Sequence, residues 1–455
     1  MLIDKIKRAK EQLAQLPCLP QQAENVEFIY RSSDFKQQII QLIRQAKKRI
    51  YITALYWEKD EAGQEIINEI YLAKEKNPAL DVKILVDWHR AQRNLIGADK
   101  TKSKTNADWY HEEKTKQEIV ENIFFGVPIN TREVFGVLHI KGFVFDDTLL
   151  YSGASINNIY LQQNERYRYD RYQKITNPQL ADSFVAFIQK YLLSSLAVNP
   201  LDNISRPQNR EIKPDVRAFR RMLGLEGEYL LTEATSMGDN LTICPLFGLG
   251  RNKNILNTTI ESLFQVVENK LIICTPYFNL PRSLKKKVLY LLKKDKQVEI
   301  IVGDKTANDF YIPPSEPFKM IGALPYLYES NLYHFSKKFD RYIQNGQLII
   351  RTWKNKENSY HLKGVWVDQD YALLTGNNLN PRAWLLDAEN GLLLHDPKHQ
   401  LLPQLEKELG HIREHTKILQ HYTELDDPKD YPEQVQRLLK KFSRTKLDKI
   451  VKMIL

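Results

Sequence analysis

The sequence predicts an α/β protein made of two duplicated domains, each a mixed or parallel sheet flanked by helices. Three observations carry that expectation. Helix, strand, helix and strand follow one another in the same order twice. Each pass ends in the same polar signature, and the passes lie about 220 residues apart.

The first copy starts near Asp34. FKQQIIQLIRQAKKRI sets Ile39, Ile43 and Ala46 on one helical face, and the strand-like YITALY ends at Tyr56. A helix follows with Ile66, Ile70 and Ala73 inward, then the apolar run VKILVD, ending at Asp87. The second copy starts near Asn254. Ile260, Phe264 and Val267 form the inner face of its helix, LIICTPY ends at Tyr277, Leu284, Val288 and Leu291 mark the next helix, and VEIIVGD ends at Asp304. Strands alternating with helices make a sheet with helical cover. Between the copies, SRPQNREIKP reads as a connection, and TSMGDNLTICPLFGLG as an edge strand of the second half. The expected boundaries are residues 1–200 for the first domain, 201–253 for the connection and lead-in strand, 254–425 for the second domain, and 426–455 for a C-terminal helix.

The signatures are HIKGFVFDDTLLYSGASINN, with His139, Lys141 and Asp146, and HLKGVWVDQDYALLTGNNLN, with His361, Lys363 and Asp368. Both read H-x-K-x4-D. Gly153, Ser155 and Asn157 match Gly376, Asn378 and Asn380; further on, YDRYQKITNP aligns with AENGLLLHDP, which sets Asp170 opposite Glu389. A single H-x-K would carry little weight, because exposed His and Lys are common. Two complete motifs with matched followers inside one duplicated frame are a different matter. His and Lys two apart on a strand face the same side, and lysine inside an apolar strand needs a reason. Two histidines and two lysines gathered at one place make a phosphate site with a nucleophile. The lysines neutralise phosphate oxygens, the asparagines add donors, one neutral imidazole attacks phosphorus and a second, protonated one serves the leaving oxygen.

Composition sets the outer limits. The chain has 455 residues, 42% hydrophobic and 27% charged, a globular balance with room for two cores. A net charge of +10 points to an anionic partner without choosing among nucleic acid, lipid and phosphorylated substrate. Three cysteines, Cys18, Cys244 and Cys274, with no C-x-x-C pair, argue against a disulfide framework and against structural zinc. No apolar stretch reaches membrane-spanning length; Phe184 to Val198 is interrupted by Gln189 and Lys190. The basic N-terminus has no apolar core behind it and is not a secretory signal. From Pro432 onward, Val435, Leu438, Leu439 and Phe442 fall at helical spacing among Arg437, Lys440, Lys441 and Arg444. Such a basic amphipathic helix suits an anionic membrane surface or packs its stripe on the body of the protein.

The paired motifs resemble those of the phospholipase D superfamily. The resemblance implies two similar domains about a pseudo-two-fold axis, with one active site between them and neither metal nor cofactor. It gives His139 and His361 as the catalytic pair, with His139 favoured as nucleophile and His361 as acid and then base. Lys141, Lys363, Asn157 and Asn380 become phosphate binders. Glu389, and with it Asp170, becomes the acid that holds a histidine, the pairing left open. Asp146 and Asp368 look structural. ILVDWHRAQRNLIGA, NADWY, FGVPINTRE, TPYFNLP, GDKTANDFYIP, GALPYLYE and GNNLNPRAW are similar to the superfamily's bacterial phosphatidylserine synthase branch along nearly the whole chain. That likeness implies CDP-diacylglycerol and L-serine as substrates, an anionic lipid surface as partner, no obligatory nucleic acid, and a cytoplasmic enzyme reversibly bound to the inner face of the membrane. Trp88, His89, Arg90 and Arg93, after a strand C-terminus, are candidates for the cytidine diphosphate. The rival readings are another phosphatidyl transferase such as a cardiolipin synthase, or a nuclease.

Overall fold

A computed structural model of the chain describes residues 2–93, 104–313 and 315–444, with side chains from 5 to 441 over those ranges. The duplicated order becomes two sheets of matching topology. In the first, Arg49–Thr53, Asp81–Asp87 and Phe124–Val127 run parallel, while Gly142–Phe145, Thr148–Ser152, Tyr172–Thr176 and Val26–Ile29 continue antiparallel from the other side of Arg49–Thr53. In the second, Lys270–Thr275, Gln297–Gly303 and Leu348–Trp353 are the parallel part, and Gly364–Val367, Tyr371–Thr375, Glu389–His395 and Thr242–Gly248 the antiparallel part. The predicted lead-in strand is therefore Thr242–Gly248, the counterpart of Val26–Ile29.

Period-two alternation assigns the faces of the second sheet. Leu271, Ile273, Val365, Val367, Leu373 and Leu393 share a core with its own helices. Ile272, Cys274, Trp366, Leu374, Leu392 and Leu394 point the other way, into the core that is continuous with the first half. Strands buried on both faces explain the near-unbroken apolar runs in the sequence. The helices expected in the two frames are present. Glu61–Lys76 starts at Asp60, whose side chain accepts the Gly63 N–H, and Ile255–Val266 starts at Asn254, which accepts from Asn257. Arg282–Leu292 buries Leu284, Val288 and Leu291, with Lys286 exposed and Lys285 and Lys287 half-buried. Among the described residues no helix is long and apolar enough to cross a membrane.

Three features depart from the sequence reading. The first twenty residues, placed with the first domain, join the second: helix Leu2–Ala14 puts Ala9 and Leu13 into its core, and Leu19–Pro20 pairs with the strand Thr242–Gly248. That pairing sets Cys18 opposite Cys244, with Cα atoms 4.1 Å apart and the sulfurs joined in a disulfide. The expectation of no disulfide is corrected here: a separation of 226 residues hides the pair from any local spacing. The connection is not irregular throughout, since Lys213–Glu226 is a helix that buries Val216, Phe219 and Leu223.

The halves are locked by a buried ion pair. Arg171 of the first half gives Nε and Nη2 to the two carboxylate oxygens of Glu408 at 2.8 and 2.7 Å, and Nη1 to the Leu373 carbonyl at 3.0 Å. Removing one partner leaves the other charge buried alone. Arg171→Ala is expected to cost about 3–5 kcal/mol, and replacing both residues with apolar side chains of similar volume to recover most of it. Denaturant midpoints of the single and double variants check this.

Candidate active site

Each histidine is carried to the seam by a short stretch of backbone that pairs with the other half. Leu138 bridges Ala388 in parallel, and the His139 N–H donates to the Ala388 carbonyl at 2.9 Å. Ser359–Tyr360 runs parallel to Arg168–Tyr169, and the His361 N–H donates to the Tyr169 carbonyl at 2.8 Å. The next residue along each partner strand is an acid. His139 Nδ1 lies 2.9 Å from Glu389 Oε2, and His361 Nδ1 lies 3.0 Å from Asp170 Oδ2. The pairing left open by sequence is thus crossed: each half's acid meets the other half's histidine. His361 Nδ1 also lies 2.9 Å from the Tyr160 hydroxyl.

Both lysines are buried. Lys363 Nζ contacts His361 Nδ1 and lies 3.3 Å from Asp170 Oδ2. Lys141 Nζ reaches Ser155 Oγ at 3.4 Å, and its backbone is clamped at N–H and carbonyl by the Asn390 amide, each bond 2.8 Å. Two glycines make room. A Cβ on Gly376 would stand 3.0 Å from Lys141 Cγ, and one on Gly153 would stand 2.7 Å from Asp170 Oδ2. Asn157 and Asn380 turn their carbonyl oxygens back to cap their own loops, on the Tyr160 and Ala383 N–H groups, and Asn157 Nδ2 donates to Glu58 at 2.8 Å.

Asp146 and Asp368 face away from the histidines. Each, at φ near +50°, accepts three consecutive backbone N–H groups: Lys47, Lys48 and Arg49 for one, Glu268, Asn269 and Lys270 for the other. Each ties the hairpin turn of its own sheet to the turn that opens that sheet's central strand.

Crowding of cations in a buried place sets the electrostatics. Burial, then Lys141 and Lys363, hold His139 well below its ordinary pKa. Burial and Lys363 push His361 down to about 4. Burial, then Lys363, push Lys141 down to about 7. The two acids diverge. Burial and the neighbouring Asp387 raise Glu389 well above the carboxylate range. Burial also works to raise Asp170, but Lys363 and His361 outweigh it and hold the group low.

The candidates after the strand Asp81–Asp87 are mostly engaged. Trp88 is buried and its indole N–H donates to Asn209 at 2.7 Å; His89 Nε2 lies 2.8 Å from the Asn130 carbonyl; Arg90 and Arg93 both pair with Glu133 at 2.6 Å. His89, Arg93, Glu133, Arg206, Gln208 and Asn209 are among the residues lining a cleft of about 620 Å³. In the C-terminal helix Glu433–Arg444, Val435 and Leu439 pack against Tyr326 and Tyr431, Leu438 is half-buried, and Arg437, Lys440 and Lys441 are exposed. The side chains of Phe442 and Arg444 lie outside the described residues.

The comparisons with known proteins agree with this geometry. The family described as "Cardiolipin synthase, PLD-like domain" matches twice, over residues 39–191 and 261–413. CDP-diacylglycerol–serine O-phosphatidyltransferases of Haemophilus influenzae and Escherichia coli are 64% and 50% identical, each over 100% of both chains. The crystal structure of the phosphatidylserine synthase of Haemophilus influenzae superposes with a TM-score of 0.96 at 63% identity, covering 99% of each chain. The chain belongs to the phospholipase D-like family, in its phosphatidylserine synthase branch.

The sequence points to the motif residues and to the acids Glu389 and Asp170, and not to the groups that clamp the backbone behind them. Asp87 accepts the Leu138 N–H at 3.0 Å, and Asp387 accepts the Val137 N–H at 3.0 Å, fixing the segment that ends at His139. Asp87 closes an apolar strand just as Asp304 does in the other copy, a signal the duplication already offered. Tyr160, Arg168 and Asp309 had none, because nothing in their spacing points to His361.

A pH dependence follows from Lys141. Its charge is present below about pH 7 and lost above it, so a diphosphate binds more tightly to the low-pH form. The dissociation constant of CDP is expected to rise by up to about tenfold per pH unit once the pH passes 7. Lys141→Met should weaken binding and flatten that slope, as isothermal titration across the range would report.

Proposed function

We propose that the protein joins L-serine to the phosphatidyl group of CDP-diacylglycerol, releasing CMP, through a phosphatidyl-histidine on His139. The observation that carries this reading is the crossed pairing of each histidine's Nδ1 with an acid of the other half. It commits Nδ1 and leaves Nε2 of His139 as the nitrogen for phosphorus. The low basicity of His139 keeps its imidazole neutral, as a nucleophile must be.

In the first step His139 Nε2 bonds to the phosphorus that carries diacylglycerol, the bond to the CMP oxygen breaks, and His361 gives that oxygen a proton. His361 is neutral in the empty site; the negative charge of a bound diphosphate opposes Lys363 and favours its protonation. In the second step the serine hydroxyl attacks, its proton passes to His361, and the P–N bond breaks with its electron pair returning to His139. Lys141 and Lys363 hold the phosphate oxygens, with Asn157 and Asn380 beside them. Arg90 and Arg93, with His89 and the buried Trp88 behind them, border the cytidine diphosphate. Serine arrives after CMP has gone, so the kinetics are ping-pong.

The lipid is reached from the bilayer surface. With its apolar stripe turned to Tyr326 and Tyr431, the helix Glu433–Arg444 offers Arg437, Lys440 and Lys441 to an anionic leaflet, each adding about 1 kcal/mol there and less in salt. The reading places the enzyme reversibly on the inner face of the membrane, with no cofactor.

Mixed micelles of CDP-diacylglycerol with radiolabelled L-serine, in EDTA, test the proposal. Lipid-soluble label and CMP are expected together, and His139→Ala or His361→Ala should lower both by about 10²–10⁴-fold or more. CMP without labelled lipid would remove serine as the acceptor; neither product would remove the lipid substrate.

A further inference from the structure

The two halves of the site repeat each other closely: a histidine, a lysine and an acid from across the seam. Beside His361 a buried charge pair departs from that repetition. Arg168 lies two residues before Asp170 on the strand Arg168–Tyr169, so both side chains leave the strand on the same side. The register that sets Asp170 opposite Glu389 sets Arg168 opposite Asp387, an acid that accepts the Val137 N–H and pairs with Arg382 at 3.1 Å. At this register position the His361 side therefore carries an arginine where the His139 side carries an acid. The arginine's partner Asp309 comes from the other half.

We infer that Arg168 and Asp309 form the acceptor site, Arg168 taking the carboxylate and Asp309 the ammonium of an amino-acid zwitterion whose hydroxyl faces His361. This deepens the proposed function and rests on it. The pair is made through one oxygen: Arg168 Nε and Nη2 lie 2.9 and 2.8 Å from Asp309 Oδ1. Asp309 Oδ2 accepts from a neutral phenol, Tyr277, at 3.2 Å, the Ser359 hydroxyl also bonds the Asp309 carboxylate, and Arg168 Nη1 donates to another phenol, Tyr56, at 3.0 Å. So the outer guanidinium edge and the outer carboxylate oxygen each face a tyrosine rather than a charge. A carboxylate can take that edge with two parallel bonds, and an ammonium, with three donors, can take Oδ2.

Position supports the same assignment. The guanidinium lies 4.6 Å over the Tyr160 ring, and the Tyr160 hydroxyl is the one bonded to His361 Nδ1. Tyr277 meets the His361 ring edge-on at 6.1 Å between centroids. Arg168 and Asp309 side chains are 12% and 11% exposed, and His361 is 10%, so the three are similarly recessed. The phosphate already has Lys141 and Lys363. A further Arg–Asp pair adds little to stability for the cost of burying it, whereas two opposite charges at fixed separation are what distinguishes an amino acid from water or glycerol.

The test separates the half-reactions. Exchange of labelled CMP into CDP-diacylglycerol reads the first without any acceptor, and transfer to serine or to serinol, which lacks the carboxylate, reads the second. Wild-type enzyme should prefer serine. In Arg168→Met the ratio of serine transfer to CMP exchange is expected to fall at least about 100-fold, through KM for serine, while the ratio of serinol transfer to exchange changes little. Arg168→Lys keeps the charge and loses the fork, and should lie between; Asp309→Asn should raise KM for serine and leave KM for 3-hydroxypropionate, which lacks the ammonium, near its starting value. Serine transfer, serinol transfer and exchange falling by one common factor in Arg168→Lys and Asp309→Asn would overturn the inference and make the pair a brace of the seam. Exchange without serine transfer in the wild-type enzyme would overturn the serine reading itself, a different result.

Discussion

The whole site depends on backbone pairing across the seam. Two short parallel contacts, Leu138 with Ala388 and Ser359–Tyr360 with Arg168–Tyr169, carry each histidine into the half to which it does not belong. Because the next residue on each partner strand is Glu389 or Asp170, the same hydrogen bonds that dock the halves also complete the two histidine–acid pairs. Neither half has a competent histidine alone. The interface is part of the active site, and the locking pair Arg171–Glu408 is the kind of support such an arrangement needs.

Near-identical motifs are then made unlike by their surroundings. Glu389 sits beside another acid, Asp387, and is raised; Asp170 sits beside Lys363 and is held down. Two titratable groups pushed apart by environment are how one constellation can divide nucleophile from acid–base work. The crowding of Lys141 and Lys363 has the opposite sense: it disfavours the empty, fully charged site and favours one filled by phosphate, so substrate charge relieves what the fold imposes.

The fold was legible in outline because its signals are local or repeated. Alternating apolar runs gave the strands, helical spacing gave Ile39, Ile43, Ile260 and Phe264, and the duplication gave the equivalence of His139 with His361 and of Asp170 with Glu389. Trp88 shows the limit of such reading: an aromatic beside arginines looks like a ligand contact, yet it is a core residue bonded to Asn209. The C-terminal stripe shows another, since periodicity cannot say whether Val435 and Leu439 meet lipid or, as here, two tyrosines.

By itself the sequence determined the duplicated α/β architecture, the two motifs and the residue types able to handle a phosphate, because these rest on periodicity and on identity at matched positions. Only the tertiary structure decided which acid serves which histidine, that the N-terminal helix and Cys18 belong to the second half, and that Arg168 meets Asp309. The physical reason is the same in each case. These are contacts between side chains more than a hundred residues apart, set by how two sheets dock, and no local pattern encodes the register of that docking.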